Sequence, residues 1–127
     1  MSPHLPEDEI DEIRLTLPAV ASYARVARLA VTGLASRLGY TYDELEDLRI
    51  AVGEIFGVLV PGAAPDGRMT LRCNLHGTDL VVEAWREPAT PEPTANELTR
   101  QILTAVVDDA DIDEGHARIR VVKRQTR

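Results

Sequence analysis

Two amphipathic helices in direct succession constrain the fold of this chain more than any other feature. In residues 19–38 apolar side chains recur at spacings of three and four, which predicts a helix of about five turns. Gly39 is typical of a helix end. Thr41, followed three residues later by Glu44, predicts the capping box that opens a second helix. The second helix therefore follows the first at once.

Strands are predicted on both sides of this helical pair, because apolar and polar residues alternate there with a period of two. They cover residues 13–17, 70–75, 80–85 and 117–122. A short turn makes a hairpin of the second and third strands. Thr94 with Glu97 predicts a capped third helix over residues 95–107, and residues 108–115 are predicted to form an acidic turn. The order β-α-α-β-β-α-β predicts an α+β fold, a two-layer α/β sandwich with helices on one face of a mixed sheet.

Length and charge limit the classes of function. A chain of 127 residues is expected to hold one domain, here residues 10–127 after a disordered lead-in, residues 1–9. The formal net charge of −7 argues against direct nucleic-acid binding and against docking on an anionic membrane. A single cysteine, Cys73, excludes an internal disulfide framework. The acidic N-terminus lacks the apolar segment of a secretory signal, so we expect a cytoplasmic protein.

No metal site is expected from the sequence. The acidic residues 109–115 resemble the start of a calcium loop, but Glu114 stands where the loop needs glycine and Arg120 where it needs a bidentate glutamate. Cys73 alternates with leucines and is predicted to be a buried apolar residue. Trp85 is predicted to pack at the edge of the core, with a partner contact as the alternative.

Three stretches of the first half of the chain carry a resemblance to a known family. They are Ile13-Arg-Leu-Thr-Leu-Pro-Ala, Ser22-Tyr-Ala-Arg-Val-Ala-Arg-Leu, and residues 35–54, which end in Ala-Val-Gly-Glu54. From about residue 13 to 60 the chain resembles anti-sigma factors of the RsbW type, serine-protein kinases of the histidine-kinase-like ATPase superfamily. The resemblance implies a Bergerat-type sandwich that dimerises and holds a sigma factor away from RNA polymerase. It also implies release by an anti-anti-sigma partner of the STAS type, which kinase-competent members phosphorylate on serine.

The same resemblance implies a partner-binding surface on the first helix. Arg25 matches the family position where an exposed arginine contacts both partners, and Ser22, Tyr23 and Arg28 lie beside it. A guanidinium can hold a carboxylate of either partner through two parallel hydrogen bonds. The two partners would therefore compete for one patch.

The chain departs from the family where the nucleotide should bind. Glu54 matches the catalytic base, but Val58 replaces the asparagine that binds magnesium, and valine offers no lone pair to a hard cation. Arg86 replaces the aspartate that reads adenine, and Pro88 lies where the glycine motif should be. Prolines also replace the glycine-rich lid, so we expect the ATP lid to be reduced or absent. No catalytic residue and no cofactor are expected, and Glu54 is interpreted as vestigial.

Several functions remain open from the sequence. The preferred one is an anti-sigma factor that acts by sequestration and not by phosphorylation. The alternatives are an active serine-protein kinase that uses ATP and magnesium, and a non-catalytic partner subunit of an intact homologue; a small-molecule enzyme is a distant fourth. We also expect a homodimer through the first strand and first helix, because that helix has a wide apolar stripe.

Overall fold

The computed structural model describes residues 12–126, so the predicted lead-in, residues 1–9, lies outside the described residues. The helices and strands are β1 (Ile13–Pro18), α1 (Ala24–Arg37), α2 (Tyr42–Leu59), β2 (Arg68–His76), β3 (Asp79–Glu87), α3 (Glu97–Val106), β4 (Asp109–Asp113) and β5 (Arg118–Arg124). Single 3-10 turns at Ala21–Tyr23 and Glu114–His116 precede α1 and β5. The predicted sequence of elements is confirmed, with one strand added.

The strands form one antiparallel sheet in the order β1-β2-β3-β5-β4. The helical hairpin of α1 and α2 returns the chain to the end of the sheet that it left, so β2 runs antiparallel to β1. The single helix α3 makes β3 and β4 point the same way, but β5 lies between them. The predicted mixed sheet is therefore wrong, because no two neighbouring strands of residues 12–126 are parallel.

The acidic segment, residues 108–115, contains the added strand and not the predicted turn. Aspartates alternate with apolar residues in β4, so Ala110 and Ile112 pack against the core. The three aspartates point away from it, and their register partners on β5 are Val122, Arg120 and Arg118. A short edge strand with outward charges is a common way to end a sheet. Within the described residues, His, Cys, Asp and Glu form no group of three that could hold a metal ion.

Two of the three predicted helix starts differ from the structure. The capping box at Thr41 and Glu44 is confirmed, with both reciprocal hydrogen bonds present. The predicted box at Thr94 is wrong, because Asn96 caps α3 by accepting a hydrogen bond from the Thr99 amide at 2.8 Å. The first helix begins later than predicted, at Ala24, after the 3-10 turn.

All three helices cover one face of the sheet, and the core lies between the two layers. The buried side chains of α1 are small, which lets this helix approach α2 closely: Ala24, Ala27, Val31 and Ala35. Cys73 is buried on the inner face of β2, as predicted, and burial raises the pKa of its thiol to about 12. None of the described helices has the length and hydropathy needed to cross a bilayer.

Candidate functional site

The second half of α2 carries the first pair of predicted site residues. Glu54 is half-buried, and its side-chain carboxylate has no hydrogen-bond or ion-pair partner among residues 12–126. Val58, one helical turn later, is only 4% exposed and belongs to the hydrophobic core. The structure therefore places methyl groups, and not a magnesium ligand, on the helix turn that follows the glutamate.

Arg86 is the next-to-last residue of β3, at a position that faces the core, and it is only 1% exposed. Each of its five guanidinium N–H groups has a backbone carbonyl acceptor. Nη1 donates to Leu59 at 2.8 Å and Pro61 at 3.4 Å, Nε to Pro88 at 3.0 Å, and Nη2 to Ala89 at 2.9 Å and to Pro91. Two acceptors lie at the end of α2, where the helix dipole favours a cation, and three lie in the loop after β3. Arg86 thus fastens that loop to α2.

This role of Arg86 goes beyond the sequence-based interpretation, which treated the arginine only as the loss of an adenine acceptor. A signal was present: Arg86 occupies an inward position of the alternating strand, after Leu80, Val82 and Ala84. A charged group at such a position needs buried partners.

The connection between β3 and α3, residues 88–96, is held at both ends. Arg86 binds its first half, and Glu114 binds its second half by accepting the Ala95 amide at 2.8 Å. The same carboxylate oxygen lies 3.3 Å from Nη2 of Arg100 on α3. Pro93 and Ala95 are buried, whereas Pro88 is exposed. These contacts fix a segment that would have to move if it were to close over a nucleotide.

The predicted partner-binding residues lie together at the start of α1. Ser22, Tyr23 and Arg25 are exposed, and Arg28 is half-buried. Arg28 turns toward α2, where its Nε donates to the Arg49 carbonyl at 3.3 Å. Among the described residues, neither Arg25 nor Arg28 has an acidic partner within ion-pair distance.

Apolar side chains extend this surface. Three residues of the predicted apolar stripe of the first helix are exposed, and so is Leu29, which lies outside that stripe and is 69% exposed. The other exposed apolar residues of this region are Val20, Tyr23 and Val26. Arg49 of α2 joins the surface, since Arg25, Arg28, Leu29, Thr32 and Arg49 line one shallow depression. Sequence reasoning missed Arg49, because only the packing of α2 against α1 brings it there.

Trp85 lies elsewhere, on the sheet face opposite the helices. Its ring is half-buried between two guanidinium groups, 5.9 Å from that of Arg14 and 4.9 Å from that of Arg118. The tryptophan therefore packs outside the core and not at its edge, and cation–π attraction holds it there.

Comparison with known proteins connects these features. No protein-family model matches the chain. A serine-protein kinase RsbW of Halalkalibacterium halodurans is 36% identical over 103 residues, which are 72% of this chain and 61% of that protein. Its namesake in Listeria innocua is 39% identical over 75 residues, covering 57% of this chain and 48% of that protein. The RsbW of Bacillus subtilis is 50% identical over 48 residues, or 38% of this chain and 30% of the relative. The chain thus spans less than two thirds of these relatives.

A solved structure has the same fold. It is the crystal structure of the RsbU and RsbW domains of Rv1364c from Mycobacterium tuberculosis, with a TM-score of 0.74 and 20% sequence identity. The alignment covers 91% of this chain and 33% of that chain. At this level of identity the likeness concerns the fold, which is that of the histidine-kinase-like ATPases.

Proposed function

Since this chain belongs to the RsbW-type family of anti-sigma factors and serine-protein kinases, we propose that it is a cytoplasmic anti-sigma factor without kinase activity. It sequesters an alternative sigma factor through the surface at the start of α1, and a STAS-type anti-anti-sigma protein competes for that surface. The observation that carries the non-catalytic part is the Arg86 guanidinium, whose five N–H groups are all bound to carbonyls.

The residues present do not fit a nucleotide and its magnesium. Val58 supplies no oxygen ligand, and Arg86 is a donor where the adenine amino group needs an acceptor. Each missing polar contact of this kind weakens binding by about 1.5–3 kcal/mol, so the loss of all of them removes useful affinity. Residues 88–96 add a further obstacle, because their hydrogen bonds to Arg86 and Glu114 would have to break.

Titration with Mg-ATP tests this part of the proposal. Isothermal calorimetry of the wild-type chain is expected to give no binding heat up to millimolar nucleotide. Mg-ADP and Mg-GTP serve as controls for nonspecific phosphate binding. Saturable binding of Mg-ATP with micromolar affinity would overturn the proposal that the chain has no kinase activity.

The partner-binding part is supported by the exposure of Arg25 and by its lack of an acidic neighbour among the described residues. Reversing its charge is expected to abolish recovery of a sigma factor in a pull-down from the native cell, because contacts to a charged hot spot contribute several kcal/mol, about 2–5. The substitution Arg25→Glu lies in the first turn of α1, where the helix dipole favours an acid, so the fold tolerates it.

Arg37→Glu is the matched control for that experiment. Arg37 is an exposed arginine in the last turn of the same helix, away from the proposed surface. The control variant is expected to recover the sigma factor as the wild type does. Equal recovery by the Arg25→Glu variant would contradict the assignment of the surface.

The active kinase remains the second candidate, because Glu54 is retained at the base position and has no partner among residues 12–126. Transfer of labelled phosphate from ATP to a STAS protein separates the two candidates. Transfer that is lost in a Glu54→Gln variant would favour the kinase.

A homodimer through β1 and α1 is part of the proposal. β1 is an edge strand whose first residue, Ile13, is 39% exposed, and Val20 and Val26, which follow β1 in the chain, are also exposed. Pairing of two β1 edges would satisfy free backbone groups and cover this apolar surface. Light scattering at tens of micromolar is expected to give twice the 14.0 kDa chain mass. A monomer at that concentration would contradict this proposal.

A further inference from the structure

A groove lies between the start of α1 and the second half of α2. Its volume is about 290 Å³, and its walls come from Ala21 and Ala24 on one side and from Gly53, Phe56 and Gly57 on the other. We call this the α1–α2 groove. Its size is at the lower end of pockets for small organic groups, which is enough for one large apolar side chain.

The two glycines keep the groove open. A methyl group added at Gly57 would meet no atom within 4 Å, so the space beside this residue is unfilled. A methyl group at Gly53 would stand 2.6 Å from Nη2 of Arg28, because the guanidinium lies directly over this glycine. A glycine inside a helix costs about 0.5–1 kcal/mol relative to alanine. Because no atom lies within 4 Å of a methyl group added at Gly57, the packing around α2 does not require a glycine there.

The rim of the groove is positively charged. Arg28 crosses it and is held by the Arg49 carbonyl, and Arg25 and Arg49 line the adjoining depression. Arg49 has an exposed partner, Glu46, at 3.4 Å, whereas Arg25 and Arg28 have none among the described residues. In a chain with a net charge of −7, three neighbouring arginines produce a local potential of the opposite sign.

We propose that the α1–α2 groove receives one apolar side chain from an acidic helical segment of the sigma factor. Arg25 and Arg28 pair with carboxylates on either side of that apolar side chain. This inference rests on the proposed function, since it specifies the chemistry of the contact on the partner. A second copy of this chain is a poor occupant, because a two-fold contact centred on the groove would bring the Arg28 side chains of both copies together.

The test is a titration of the full chain with helical peptides of about 15 residues, in which the amide NMR signals of the protein report binding. One peptide presents a leucine flanked by glutamates; a second replaces the leucine with alanine, and a third replaces the glutamates with lysines. The first peptide is expected to shift the amide signals of Gly53 and Gly57. The alanine and lysine peptides are expected to bind at least about fivefold more weakly.

Two protein variants distinguish the groove from the rest of the surface. Gly57→Leu fills the groove and is expected to weaken the first peptide at least about tenfold. Gly33→Leu is the matched control, because Gly33 is also an exposed glycine within a helix where an added methyl group meets no atom within 4 Å. It should leave the affinity within about twofold, as expected for a residue outside the contact. Neither variant should unfold more easily than the wild type, because leucine favours the helix.

Three results would overturn the inference. The first is that the wild type and the Gly57→Leu variant bind the first peptide with equal affinity. The second is that the wild type binds the lysine peptide as tightly as the first peptide. The third is that the amide signals of Gly53 and Gly57 shift with protein concentration in the absence of peptide. The last result would assign the groove to a second copy. Failure of the peptides with continued recovery of a sigma factor would reject the groove alone. Peptide binding without recovery of a sigma factor would reject the proposed function alone.

Discussion

Replacing Arg86 with methionine is expected to lower the free energy of unfolding by at least about 3 kcal/mol. The substitution keeps much of the side-chain volume but leaves five carbonyl oxygens without their donor. Some of these oxygens would regain water only if the loop separated from α2. Chemical denaturation, followed by circular dichroism, measures the effect.

Arg86→Lys separates the charge from the geometry. Lysine keeps the positive charge, but its three donors radiate from one atom and cannot reach five acceptors around a planar group. We expect it to recover only part of the stability. Arg68→Met, at an exposed position on β2, is the control and should change stability by less than about 0.5 kcal/mol. An unfolding midpoint for Arg86→Met equal to that of the control would refute the role given to Arg86.

Acid is expected to destabilise the protein through Glu44. This carboxylate is 4% exposed, and it accepts the amide of Thr41 at 2.7 Å and both the amide and the hydroxyl of Thr126, at 2.6 and 2.7 Å. Burial alone would raise the pKa of Glu44, but the hydrogen bonds from Thr126 and Thr41 outweigh it and lower the pKa from 4.5 to about 2. The ionised carboxylate therefore joins the start of α2 to the residues that follow β5.

The direction of the pH effect follows from that shift. Because the pKa of Glu44 is lower in the folded state, its contribution is complete above the unfolded-state pKa of 4.5 and is lost as the pH falls toward 2. The contribution at neutral pH is about 1–3 kcal/mol, because water close to the carboxylate screens part of it. The Glu44→Gln variant is expected to lose about this amount at pH 7, because its amide group meets donors where the carboxylate accepted them.

The pH profile is the measurement that checks this prediction. The difference in stability between the wild type and the Glu44→Gln variant should shrink as the pH falls from about 4.5 to about 2. Glu46→Gln removes a carboxylate of the same helix whose ion pair with Arg49 is exposed, so it should change stability by less than about 0.5 kcal/mol. A difference for Glu44 that stays constant over the whole pH range would refute the assigned cause.

Local patterns accounted for most of the fold. The apolar period of the first two helices and the reciprocal cap of Thr41 and Glu44 involve residues within a few positions of each other, and the structure contains both. The acidic strand was mispredicted because its aspartates were compared with calcium ligands, and the alternation with Ala110 and Ile112 was given no weight. The cap at Thr94 failed because Asn96, two residues later, is an equally local capping residue and accepts the Thr99 amide at the start of α3.

The candidate site depended more strongly on distant contacts. The acceptors of Arg86 include the Leu59 carbonyl, which is 27 positions away, and no sequence pattern relates the two residues. The contribution of Arg49 to the positive rim likewise depends on how α2 packs against α1. Sequence reasoning could therefore predict which side chains are unusual but not which groups they meet.

The two edges of the sheet have different consequences for association. Along β4 the outward aspartates of one copy would lie opposite those of another, and like charges directly opposed are unfavourable. Along β1 the matching positions hold Arg14 and Thr16, and no carboxylate. Two copies joined at β1 would leave an acidic rim at each end of a continuous sheet, so growth by strand addition would stop at two chains and would not continue into a filament.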